Sequence, residues 1–189
     1  MSKQRTALAA ALLILSCGFG LAQKVNPVAK YRAVAASLNL GRASQIDIVI
    51  ERWSTDAERE QLLTTLQEFG RDKLIVELMK IRPRCGYMRL PNTRGYDLFY
   101  ARDNVLPDGT HHVVLATNRS VGVSEAATAT RSLEYQLTLI ELHLDKDGEG
   151  EGKLVPAGKI TWDNAKKSIE IENWGALPVD LKGVKSVKP

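Results

Sequence analysis

The chain has 189 residues, 25% of them charged and 6% aromatic, with a formal net charge of +4. That length suffices for one domain with its own core. So small a positive surplus argues against a nucleic-acid-binding footprint.

The N-terminus reads as an export signal. Lys3 and Arg5 precede the apolar run "ALAAALLILSCGFG", and the small residues Gly20 and Ala22 precede Gln23. This pattern predicts a signal peptide over residues 1–22, cleaved after Ala22. Residues 23–189 are then a single extracytoplasmic, β-rich domain, periplasmic or secreted. The apolar run is short for a membrane span, and the mature chain has no transmembrane segment. A lipid anchor on Cys17 is the alternative, although Leu15 fits a bacterial lipobox poorly and "GLAQ" is the better cleavage site. Cleavage removes two of the 26 basic residues and none of the 22 acidic ones, leaving a net charge of +2. Cys85 is then the one remaining cysteine, so no internal disulfide forms and the fold relies on its core. Cys85 is read as buried and inert, the alternative being a thiol that pairs with another chain.

After the tail 23–29, "KYRAVAASL" and "ASQIDIVIERW" flank the turn "NLGR" and predict a hairpin. Ile46, Ile48 and Ile50 share one face of its second strand. The period changes at "STDAEREQLLTTLQEFG": Thr55 and Glu58 form a capping box, and Leu62, Leu63, Leu66 and Phe69 an apolar stripe. Gly70 is expected to end this helix. "RDKLIVELMKI" is expected to form a second one, stopped before Pro83.

From Gly86 onward the chain reads as strand and turn. The strands expected are "GYMRL", "YDLFYAR", "HHVVLATN" after the Asp108-Gly109 turn, "YQLTLIELHL", "KLVPAGKITW", "SIEIENW" and "PVDLKGVKSV". "RPRCGYMRLPNTR", the densest basic stretch, reads as a solvated loop and strand face. The fold class expected is α+β: an antiparallel meander of roughly eight or nine strands, with one helix pair inserted after the second. Such a meander curls into a partly closed barrel or a sandwich.

Two sites stand out. "DKDGEG" places Asp145, Asp147, Glu149 and Gly150 like the first half of an EF-hand loop, but Pro156 stands where a bidentate Glu should close the shell. An EF-hand is therefore set aside. A weaker calcium loop from Asp145, Asp147 and Glu149 competes with a plain hairpin turn, which needs fewer assumptions. The second site arises from alternation in "TLIELHLD", which puts Glu141 and His143 on one face. If the strand starting at "HHVV" lies beside it, His112 or His111 joins them as a metal cluster or acid–base group. Solvated strand histidines are the simpler reading, and no motif of a known hydrolase or phosphate loop is present.

"IVIERWSTDAER", "YDLFYAR…VVLATNR" and "LTLIELHLDKDGEGEGK", following an export signal, resemble a group of small exported bacterial proteins of unknown function. The resemblance implies export and a single β-rich domain, and carries over no functional residue. The leading expectation is a non-catalytic domain that binds a protein partner or a small apolar ligand in a sheet concavity near residues 118–134. A calcium-stabilised domain and a hydrolase or metal enzyme built on Glu141 and His143 are the alternatives.

Overall fold

The structure, a computed structural model, describes residues 26–37, 42–91, 95–119, 137–155, 158–164, 168–173 and 178–188. Strand β1 (Ala29–Ser37) turns back into β2 (Arg42–Ile50), and helix α1 (Asp56–Lys80) follows. Next come β3 (Gly86–Arg89), β4 (Tyr96–Leu98), β5 (Tyr100–Val105), β6 (His111–Thr117), β7 (Thr138–Leu144) and β8 (Glu149–Val155). A separate hairpin, β9 (Gly158–Asp163) and β10 (Ser168–Asn173), precedes the last strand, β11 (Val179–Ser186).

Nine strands form one antiparallel sheet in the order β4-β3-β2-β1-β11-β8-β7-β6-β5. Two four-stranded meanders are thus joined by the last strand, which lies between β1 and β8. On the other side a single residue, Phe99, separates β4 from β5, so the two ends of the strand order meet in sequence and the sheet is nearly closed. Backbone bonds hold both sides of this seam: Cys85 N donates to Leu98 O beside the β3–β4 pair, Phe99 N to Ala116 O beside the β5–β6 pair, and Ser54 N, ahead of α1, to Ala101 O of β5.

Period-two alternation supplies the core. Ile46, Ile48, Ile50, Met88, Val113, Leu115, Ile140, Leu142, Leu154 and Leu181 all point inward and have no exposure. A second apolar cluster lies on the outer face. There Leu62, Leu66, Leu74 and Leu78 of α1 pack with Phe99, Ala116, Leu137 and Ile160, flanked by the half-buried Tyr100, Leu139 and Trp162. Among the described residues no helix is long and apolar enough to cross a membrane.

The α+β class, the antiparallel arrangement and the insertion of helix after the second strand agree with the sequence. The helix pair is present as well: Gly70, with φ of 74° and ψ of −173°, is non-helical and divides Asp56–Lys80 into two helices across a kink. The capping box is present as expected, with Thr55 Oγ1 accepting from Glu58 N and Glu58 Oε2 accepting from Thr55 N. Three details differ. "YDLFYAR" is two strands rather than one, because its halves pair with different neighbours, β3 and β6. The stretch from Glu149 onward, expected as turn, is strand β8, and "KLVPAGKITW" is split between two sheets.

Candidate metal centre

Strands β6 and β7 pair antiparallel, with His112 opposite His143 and Val114 opposite Glu141. Inward positions are taken by Val113, Leu115, Ile140 and Leu142. Alternation therefore turns His112, Glu141 and His143 to the outer face, beyond the part that α1 covers at Ala116 and Leu139. The imidazoles of His112 and His143 stack, with centroids 4.6 Å apart and planes 10° from parallel. Glu141 Oε1 lies 2.5 Å from His112 Nε2 and 3.5 Å from His143 Nε2. One donor atom from each residue lies within 4.8 Å of the others.

This donor set suits a borderline transition ion. Two imidazole nitrogens and one carboxylate oxygen are zinc ligands, whereas calcium selects oxygen alone. Tetrahedral zinc, with bonds of about 2.0–2.2 Å, sets neighbouring donors about 3.3 Å apart. The two distances to Glu141 straddle that value, and the near-parallel imidazoles must turn for their in-plane nitrogen lone pairs to meet at one ion. The fourth position faces solvent, since side-chain exposure is 31% at His112, 44% at Glu141 and 65% at His143.

The surroundings hold the ladder in place. Asn104 of β5 lies opposite His112 and donates from Nδ2 to the His112 carbonyl at 3.3 Å. Arg102 Nε donates to Asn104 Oδ1 at 3.2 Å, and its Nη1 pairs with Asp56 at the start of α1 at 2.7 Å. Sequence reading missed this brace. Its one available signal was the alternation of Arg102 and Asn104 along β5.

The other candidates take different places. His111 points to the inner face, where its Nδ1 is hydrogen-bonded to Asp103 Oδ2 at 2.8 Å, so it does not join the cluster. The second Asp103 oxygen is buried and has no partner among the described residues. Burial, and secondarily the Asp103 charge, push the Tyr31 hydroxyl up to about 12. Asp145 caps the β7–β8 hairpin: its Oδ1 accepts from Asp147 N and Glu149 N, both at 2.9 Å. Gly148 takes the positive φ of 78° that this turn needs. Glu149 is drawn aside to Lys185, at 3.0 Å. Asp145, Asp147 and Glu149 thus do not converge as His112, Glu141 and His143 do.

Cys85 is fully buried. Its thiol donates to Phe99 O at 3.3 Å and lies 3.4 Å from Ser54 Oγ, which accepts from Ala101 N at 3.0 Å. Of the segment 118–134, residues 120–134 lie outside the described residues, as do Cys17 and the whole stretch 1–22 in which a signal peptide is expected. Comparisons with protein families, with curated proteins and with solved structures give no match.

Proposed function

We propose that this chain is an exported domain that binds a divalent transition-metal ion, zinc in the first instance, through His112, Glu141 and His143. The convergence of the three donor atoms within 4.8 Å carries this reading. Binding is favoured over hydrolysis by the setting. The ligands stand on the outer face of a sheet, and a hydrolytic zinc site needs walls that exclude water around a reacting group. Asp145, Asp147 and Glu149 support calcium binding less well, because Asp145 Oδ1 and Glu149 Oε1 already serve the turn and Lys185. The inner face of the sheet, filled by aliphatic side chains, gives an apolar ligand less support than the outer face gives a metal.

The test is thermal unfolding of the purified protein in EDTA, zinc, calcium and magnesium. A specific ligand at a hundred times its dissociation constant adds about 2.7 kcal/mol. Zinc is expected to raise the melting temperature, with no comparable rise in calcium or magnesium. A rise in calcium alone moves the site to the β7–β8 turn, and no rise in any metal removes the proposal.

A further inference from the structure

On the outer face of β1, β2 and β3, away from the histidine cluster, lies a shallow groove of about 200 Å³. Two cross-strand rows build it. Lys30, Val49 and Tyr87 lie opposite one another in the first, and Arg32, Asp47 and Arg89 in the second. Their chain neighbours Tyr31, Ile48 and Met88 are buried in the core, so all six side chains turn outward.

The charges in this groove do not balance. Among the described residues Asp47 is its one acid, against Lys30, Arg32 and Arg89. Asp47 Oδ1 accepts from Arg32 Nε at 2.7 Å and also from Gln45, so its charge is already engaged. Arg89 lies directly across from Asp47 but stacks over the Tyr87 ring instead, 4.7 Å from the centroid. Stacking occupies the face of a guanidinium and leaves its in-plane N–H donors free, already oriented for a carboxylate. Among the described residues neither Lys30 nor Arg89 has a carboxylate within ion-pair distance. Lys185 stands opposite Arg32 on the far side of β1 and adds a further like charge, itself held by Glu149. Like charges facing one another across strands are unfavourable, and a bound anion relieves them.

We propose that the groove binds a small dianion with an acid group at each end, a short dicarboxylate. The surplus of two positive charges matches two carboxylates. Arg89 takes one carboxylate side-on. Lys30 takes the other: it stands two strand spacings away and in the neighbouring row, so the pair lies diagonally across β2, about 12 Å apart at the backbone, with the middle of the ligand passing between Val49 and Asp47. The groove's volume, about 200 Å³, leaves room for a short chain between the two acid groups.

The experiment is titration of the isotope-labelled protein with succinate and glutarate, read by NMR at the arginine Nε–H groups and the Tyr87 amide. Butyrate, succinamide and inorganic phosphate are the controls. Dicarboxylates are expected to bind about tenfold more tightly than butyrate or phosphate, with no shift from succinamide. Arg89→Gln and Lys30→Ala are each expected to lose about tenfold in affinity. Asp47→Asn, which removes the competing acid, is expected to gain about fivefold. Equal response to butyrate and dicarboxylate, unchanged affinity in Arg89→Gln, or weaker binding in Asp47→Asn would each overturn the proposal.

Discussion

His112 and His143 face each other across the β6–β7 ladder with their rings stacked 4.6 Å apart, and Glu141 Oε1 reaches the Nε2 atom of both. Neither strand holds this arrangement alone. One contributes a single member of the cluster and the other contributes two at alternate positions, so the cluster exists only in the paired register.

Replacement of each histidine therefore separates the roles. His112→Ala, His143→Ala and Glu141→Gln are expected to weaken zinc binding at least about tenfold, because two donors remain. His111→Ala is expected to leave zinc affinity unchanged. It should instead lower stability by about 1–3 kcal/mol, since Asp103 loses the hydrogen bond to its Oδ2 while its Oδ1 is already without one. Calorimetric zinc titration and denaturant unfolding of the four variants check this division.

The Asp145 carboxylate ties two backbone amides of the hairpin. Asp145→Ala is expected to cost about 1–2 kcal/mol in the presence of EDTA, through the loss of both bonds. A calcium ligand would behave differently, with the loss confined to calcium-containing buffer. Urea unfolding curves with and without calcium distinguish the two.

Glu58 joins Arg52 through two hydrogen bonds, at 3.0 and 2.9 Å, while closing the capping box. The Arg52 guanidinium holds its carboxyl below the usual range; burial opposes it next, and the Thr55 amide and hydroxyl add smaller lowering effects. A carboxyl lowered in the folded state gives stability that is complete above its unfolded value, about 4.3, and is lost as the pH falls through the folded value. Glu58→Gln is expected to cost about 1 kcal/mol at neutral pH and nothing at the acid end of that window. Thermal melts between pH 7 and pH 2 give the comparison.

Burial pushes the Cys85 thiol up, with smaller opposing effects from the Ser54 hydrogen bond and the Arg52 charge. It lies under the seam where β4 meets β5. Cys85 is expected to resist thiol reagents in the native protein at pH 8 and to react in full when the protein unfolds. Rapid native labelling would show that the seam opens.

Much of this architecture is written in local pattern. The capping box at Thr55, the alternation of Ile46, Ile48 and Ile50, and the shared face of Glu141 and His143 each need only a few neighbouring residues. Sheet order does not, because the pairing of β11 with β1 and β8 joins segments far apart in sequence and leaves no local mark. Phe99 reads as one more residue of a continuous apolar strand. The change of partner on either side of it is decided by closure of the sheet. His112 was separable from His111 only with the β6–β7 register in hand, since both lie at the start of one strand. The acidic turn shows the converse: a ligand-like spacing in which Asp145 bonds to its own backbone.

The insertion of β11 between β1 and β8 governs the order of assembly. Synthesis delivers β1–β4 and β5–β8 first, and each set is a meander of neighbouring strands that can pair quickly. Until the final strand emerges, both sets carry an open edge, and β1 must wait for Ser186 to reach Tyr31. Contacts between segments so distant form slowly, and unpaired edges invite association with other chains. A chain that stops before Val179 would keep two complete four-stranded halves with nothing to zip them together. Pairing of β11 thus closes the open edges of β1 and β8 in one step.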